Sequence, residues 1–175
     1  QVIQDLVDFP EEMKALQQRY ISYMAELTQA VFRHTHAVSV FVGSIWSTIS
    51  LLSPSLWRTW DKPVLEAVVQ ASHNSNGLVH HHFHGKCHKV LADLSQLGID
   101  CICPFERPPG GDINNLPEVR HLLGSNTTFN GNVSTITTLL NGTPGTTRDE
   151  TLEILMAFEG SNRFILGTGD QVAGA

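Results

Sequence analysis

The sequence predicts an α/β protein built on parallel strands, and three observations predict it. Short apolar or β-branched runs alternate with amphipathic helical stretches, giving five strand-like segments in order. With 41% hydrophobic and 16% charged residues in 175, the chain can bury one sizeable core and shows no sign of disorder, coiled coil or collagen. The strand-like runs also end in polar residues and glycine, as expected where strands deliver side chains to a site.

The elements follow in order. From Pro10 to about Arg33, residues Met13, Leu16, Tyr20, Met24, Leu27 and Val31 recur at steps of three and four, the pattern of an amphipathic helix. Glu11 and Glu12 occupy its first turn, where the helix dipole favours them. Val38 to Gly43 reads as a buried strand. Ser53 then caps, and Pro54 opens, a helix running to about Ser72. The unit repeats as a strand at Leu78 to Phe83, a helix from Lys86 to about Leu97 stopped by Gly98, and a strand at Ile99 to Phe105. Strands at Thr127 to Gly131 and Phe164 to Gly167 complete the set, with helices at Leu116 to Leu123 and Arg148 to Phe158. An eight-stranded barrel takes about 250 residues, so five strands amount to part of one. A small open doubly wound sheet fits the same pattern.

Several function classes are disfavoured. A formal charge of -6 and 11 scattered Lys and Arg residues supply no basic stripe for nucleic acid. Three cysteines, Cys87, Cys101 and Cys103, are an odd count with a one-residue gap between two of them, which argues against a disulfide framework and for a reducing, cytoplasmic setting. Sequons at Asn126, Asn132 and Asn141 lie in an Asn- and Thr-rich stretch where such tripeptides arise by chance. No run approaches the roughly 18 to 20 apolar residues of a membrane helix, and Gln1 to Asp8 are not a signal core. Starting at Gln1 and closing on Gly174-Ala175, residues 1–175 are expected to be one domain cut at both ends. Such an isolated piece would associate through its bare edges and show no turnover.

The candidate chemistry sits at the strand ends. In Leu78-Val79-His80-His81-His82-Phe83-His84-Gly85, a period of two places His80, His82 and His84 on one face, and His82 and His84 can reach one metal ion. The bland reading is a hydrogen-bonded polar layer. Cys101 and Cys103 share a face of the next strand, which leads into Glu106-Arg107-Pro108-Pro109-Gly110-Gly111-Asp112. Glu106 can act as base, ligand or substrate acceptor, or simply pair with an arginine. Asp112 can contact substrate or cap a turn. Asn132 ends the fourth strand and can orient a carboxylate or carbonyl, and Asp170 ends the fifth as a second acid or ligand. Trp46, after the first strand, can floor a substrate pocket, whereas Trp57 and Trp60 at helical spacing belong in the core.

These strand ends resemble the uroporphyrinogen decarboxylase superfamily. Its members carry His-x-Cys-Gly after one strand, Gly-Asn after a later one and Gly-Cys near the end; this chain has His82-Phe83-His84-Gly85, Gly131-Asn132 and Gly169-Asp170 in the same order. The acidic Pro-rich loop Glu106 to Asp112 and Leu52-Ser53-Pro54 are similar to one branch, so the resemblance covers nearly the whole chain. It implies a partial TIM (β/α) barrel, about five C-terminal units of the eight. In the corrinoid and coenzyme M methyltransferases of this superfamily, the corresponding residues bind zinc, which activates a thiol. By position the ligands here are His82, His84 and Asp170, with both cysteines replaced, so the implied set is nitrogen and oxygen.

The resemblance therefore implies a parent enzyme that transfers methyl groups to a metal-activated small-molecule acceptor, with Glu106 and Asn132 as catalytic residues and Trp46 and Asp112 on the substrate. Zn2+, a corrinoid methyl donor on a partner protein and a homodimeric parent go with it. The alternatives are a metal-free carboxy-lyase of porphyrin biosynthesis and, in another class, a non-catalytic pseudo-enzyme or interaction module.

Overall fold

The computed structural model describes residues 2–172. Gln1 and Gly174-Ala175, on which the expectation of cut ends rests, lie outside the described residues. Helix α1 (Val2–Asp8) precedes the long α2 (Pro10–His34). Then follow β1 (Ser39–Gly43), α3 (Pro54–Trp60), α4 (Lys62–Asn74), β2 (Leu78–Phe83), α5 (Leu91–Gln96) and β3 (Cys101–Pro104). The chain continues through α6 (Leu116–Leu123), β4 (Thr128–Val133), α7 (Pro144–Ala157) and β5 (Phe164–Thr168).

The five strands form one parallel sheet in the order β1-β2-β3-β4-β5. This order separates the two architectures left open by the sequence. A doubly wound sheet reverses its strand order at a switch point, whereas here every strand pairs with its neighbour in sequence. Right-handed crossovers between such strands put the helices on one face. The chain is an arc of a (β/α) barrel. On the helix-covered face, Val79, His81, Phe83 and Ile102 are fully buried, while His80 and His82 on the other face are half-buried. Trp57, Phe105 and Phe129 are buried in the same core, with the Phe105 and Phe129 rings stacked 5.3 Å apart.

Several boundaries differ from the sequence reading, each for a local reason. The helix expected from Pro54 to Ser72 is divided at Asp61. Pro63 has no N–H for the carbonyl of Thr59, and Val64 N turns to Asp61 O. The carbonyls of Thr59 and Trp60 are instead taken by Gln17 Nε2 of α2, each at 2.8 Å. α7 begins at Pro144, four residues earlier than expected, because Thr143 caps it in reciprocal hydrogen bonds with Thr146. α1 and a π-helical turn at Thr135–Leu140 have no counterpart in the sequence reading. Among the described residues, no helix is long and apolar enough to cross a membrane.

Candidate metal centre

The loop after β2 is held by side chains from both neighbouring units. Gly85 N donates to Glu106 Oε2, Lys86 N to Ser50 Oγ at 3.0 Å, and Cys87 N and His88 N to Asp112 Oδ1 at 2.9 and 3.1 Å. Four consecutive amides are thereby satisfied without a regular helix, which is why α5 starts only at Leu91, after a 3₁₀ turn at His88–Val90. Asp112 is engaged with this backbone. Its structural role is that of a cap.

Fixed this way, His84 meets two carboxylates. Its Nδ1 lies 2.8 Å from Asp170 Oδ2 and 3.0 Å from Glu106 Oε2. This nitrogen is buried, and the carboxylates approach it at ion-pair distance without the alignment of a hydrogen bond. The His82 ring stacks on that of His84, 6.1 Å between centroids and 9° from parallel. His82, His84 and Asp170 each offer one ligand atom, and all of these lie within 4.8 Å of one another.

The electrostatics follow from burial. Glu106 is 7% exposed, and burial raises its pKa; the neighbouring Asp170 charge adds to this, while the Gly85 amide and His84 oppose it. Burial likewise lowers the pKa of His80 and of His82, and pushes the Cys103 thiol up to about 12. His81, facing the helices, is lowered to about 4 by burial; its Nδ1 lies 3.0 Å from Val42 O. It is neutral and structural. Arg107 does not pair with Glu106: its Nε lies 3.1 Å from Glu150 and its Nη2 3.2 Å from Glu153. Glu150 also accepts from Ser134 N, tying the loop after β3 to the one after β4.

Asn132 is fully buried and reaches the site through the backbone. Its Nδ2 donates to Phe105 O at 2.8 Å. Phe105 has a φ of +50°, an uncommon value for an aromatic residue. That turn directs the next residue, Glu106, inward, so Asn132 supports the conformation that presents the carboxylate. Trp46 sits elsewhere. It is 81% exposed and borders an apolar cavity of about 580 Å³ between α1, α2 and the loop after β1, which none of the triad lines.

Two residues outside the sequence-level candidate set join the cluster. Cys103 Sγ lies 3.1 Å from His80 Nε2 and 3.4 Å from His82 Nδ1. The period-two spacing of histidines and cysteines signals this only once the strand register is known. Chemically, two imidazoles and a carboxylate form a donor set suited to a borderline divalent ion such as zinc. The buried, unaligned His84 Nδ1 between two carboxylates is the observation that fits a cation there.

A family model described as uroporphyrinogen decarboxylase (URO-D) matches residues 1–174. In fold the chain is similar to a methyltransferase from Methanosarcina mazei, with a TM-score of 0.64 and 21% identity, over 90% of this chain and 42% of that one. An uncharacterized protein of known structure aligns over 85% of this chain and 38% of its own, at 14% identity and a TM-score of 0.44. No curated protein matches the chain. The chain thus spans less than half the length of either solved structure.

Proposed function

We propose that this chain, which belongs to the uroporphyrinogen decarboxylase (URO-D) family, carries the acceptor-activating part of a methyltransferase, with His82, His84 and Asp170 holding a zinc ion. The observation that carries the reading is the approach of three ligand atoms, from the ends of β2 and β5, to within 4.8 Å of one another. When bound, zinc supplies Lewis acidity toward a thiol or similar small-molecule methyl acceptor.

The chain's own residues prepare the site. Asp170 and Glu106 approach the same atom, His84 Nδ1, at 2.8 and 3.0 Å, so Asp170 would share a cation with that nitrogen while the Glu106 charge beside it favours the cation. Asn132 holds Phe105 O and so positions Glu106. Asp112 would act on substrate only through the loop it caps, and Trp46, beside a cavity that none of the triad lines, is given no part at the metal. A corrinoid donor would arrive on a partner protein; no residue here is assigned to it. The fold likeness to a protein named a methyltransferase supports this choice of reaction.

One observation favours a second reading. A buried Glu106 whose pKa is raised beside Asp170 could return a proton to a carbanion in a metal-free decarboxylation. Metal content separates the two. Protein purified without a histidine tag should contain zinc, and Asp170→Asn and His84→Gln should lose it. Protein that stays metal-free after equilibration with zinc would overturn the methyltransferase reading.

A further inference from the structure

The opposite end of the sheet, where β4 and β5 begin, carries a pocket of about 480 Å³ lined by Arg120, His121, Thr127, Phe129, Phe158 and Arg163, among others. In a chain of formal charge -6, no carboxylate lines this pocket. Neither Arg120 nor Arg163 meets a carboxylate at ion-pair distance among the described residues. Arg120 Nη1 donates to Ala157 O and Glu159 O at 3.0 and 3.2 Å, which pins the end of α7. The Nε and Nη2 of the same guanidinium have no protein acceptor among the described residues. Thr127 is 4% exposed, yet its hydroxyl has no hydrogen-bond partner among the described residues. A hydroxyl so buried calls for a partner, and the pocket it lines is where one can enter. α6 and α7 both end at this pocket, and each C-terminus carries roughly half a negative charge. The two guanidinium charges outweigh them and leave about one net positive charge.

We propose that this pocket binds a phosphorylated small molecule, with the phosphoryl group on Arg120, Arg163 and the Thr127 hydroxyl and the organic body against Phe129 and Phe158. Guanidinium groups match phosphate oxygens with paired N–H donors and stay charged at any working pH. The volume is that of a site for an organic ligand rather than for a bare anion. The two phenylalanine rings, stacked with 4.6 Å between centroids, give it an apolar wall. His82, His84 and Asp170 lie at the other ends of the strands, so this site does not rest on the zinc reading.

The test is a titration of the isotope-labelled chain with phenyl phosphate and, separately, with inorganic phosphate, at constant ionic strength. A chelator is present so that no metal ion carries the anion. The backbone amide resonances of Thr127, Ser161 and Asn162 should shift to saturation, and phenyl phosphate should bind at least threefold more tightly than inorganic phosphate. Arg163→Gln should weaken phenyl phosphate binding at least tenfold and Thr127→Val at least threefold. Arg19→Gln, an exposed position on α2 far along the chain from the pocket, should leave it unchanged. Shifts that stay linear in ligand overturn the proposal, as do equal losses in Arg163→Gln and Arg19→Gln. Unchanged affinity in Arg163→Gln, or inorganic phosphate binding as tightly as phenyl phosphate, overturns it equally. Should Thr127→Val fail to fold, Arg163→Gln, at an exposed position, decides alone.

Discussion

His84 and Asp170 meet 2.8 Å apart although they follow β2 and β5, which have two strands between them. In a flat sheet with neighbours about 4.8 Å apart, three spacings would separate these strand ends by about 14 Å. The contact therefore depends on the curl of the sheet, and anything that flattens the arc dismantles the candidate centre.

Asp170→Asn should reduce zinc affinity at least about tenfold while leaving the melting temperature nearly unchanged, because Asp170 lies on the rim outside the core. Glu106→Gln should also weaken zinc binding, by about 10- to 100-fold, through the loss of its charge beside His84 Nδ1. Competition with a zinc-responsive dye measures both. Wild-type affinity in Asp170→Asn would remove it from the ligand set.

Asp61, where α3 gives way to α4, sets a pH dependence. Its carboxylate accepts from Trp57 Nε1 at 2.9 Å and Ser44 Oγ at 3.1 Å, but burial outweighs these bonds and raises its pKa above the ordinary 3.8 of an aspartate. The unfolded chain ionises first as pH rises. Asp61 therefore favours the fold fully below pH 3.8, and that contribution is lost as pH climbs through the raised folded value. In urea midpoints measured from pH 3 upward, Asp61→Asn should flatten this decline. Asp61→Ala, which strips Ser44, Ser47 and Trp57 of their acceptor, should cost about 1–3 kcal/mol.

Gly131 should not tolerate a side chain. Its φ is +151°, and an added Cβ would lie 2.5 Å from Pro104 O on the neighbouring strand. Gly131→Ala should destabilise by about 2–4 kcal/mol. Gly124 also has a positive φ, +67° with ψ -156°, but nothing within 4 Å of an added Cβ, so Gly124→Ala should cost less, about 1–3 kcal/mol, from backbone strain alone. Equal losses in denaturant titrations would show that crowding against β3 is not what demands glycine at 131.

Asn132→Ala should cost about 1–3 kcal/mol by leaving the buried carbonyl of Phe105 without its donor. Because that bond supports the turn before Glu106, zinc binding should weaken as well. A variant destabilised with unchanged zinc affinity would confine Asn132 to a role in stability.

The strands were legible as apolar or β-branched runs punctuated by glycine, although β1, expected to be buried, and β5 contain no buried residue, and α3 was legible because Ser53-Pro54 states its cap and first turn. Thr143-Pro144 carries the same signal for α7, four residues ahead of the expected start at Arg148. Pro63 gives notice of a break, but not that the carbonyls opened there are met by Gln17, 42 residues before Thr59. The candidate triad of His82, His84 and Asp170 followed from family resemblance; the spacing of the histidines alone left a polar layer equally open. What no local pattern could show was the set of long-range partners: Glu106 and Asp112 holding the loop after β2, Arg107 turning to Glu150, and Cys103 set between two histidines. Each depends on strand register and on sheet curvature, which are properties of the folded chain.

The amides of residues 85–88, each bonded to a side-chain oxygen from an adjacent unit, also make the rim readable in solution. Their exchange with deuterium can proceed only when the loops after β1 and β3 part from the loop after β2. Gly85 responds to Glu106, Lys86 to Ser50, and Cys87 and His88 to Asp112, so one exchange experiment resolves which clasp opens first. Ligands that tighten the centre should slow Gly85 most, making a single backbone hydrogen a native gauge of occupancy that needs no label.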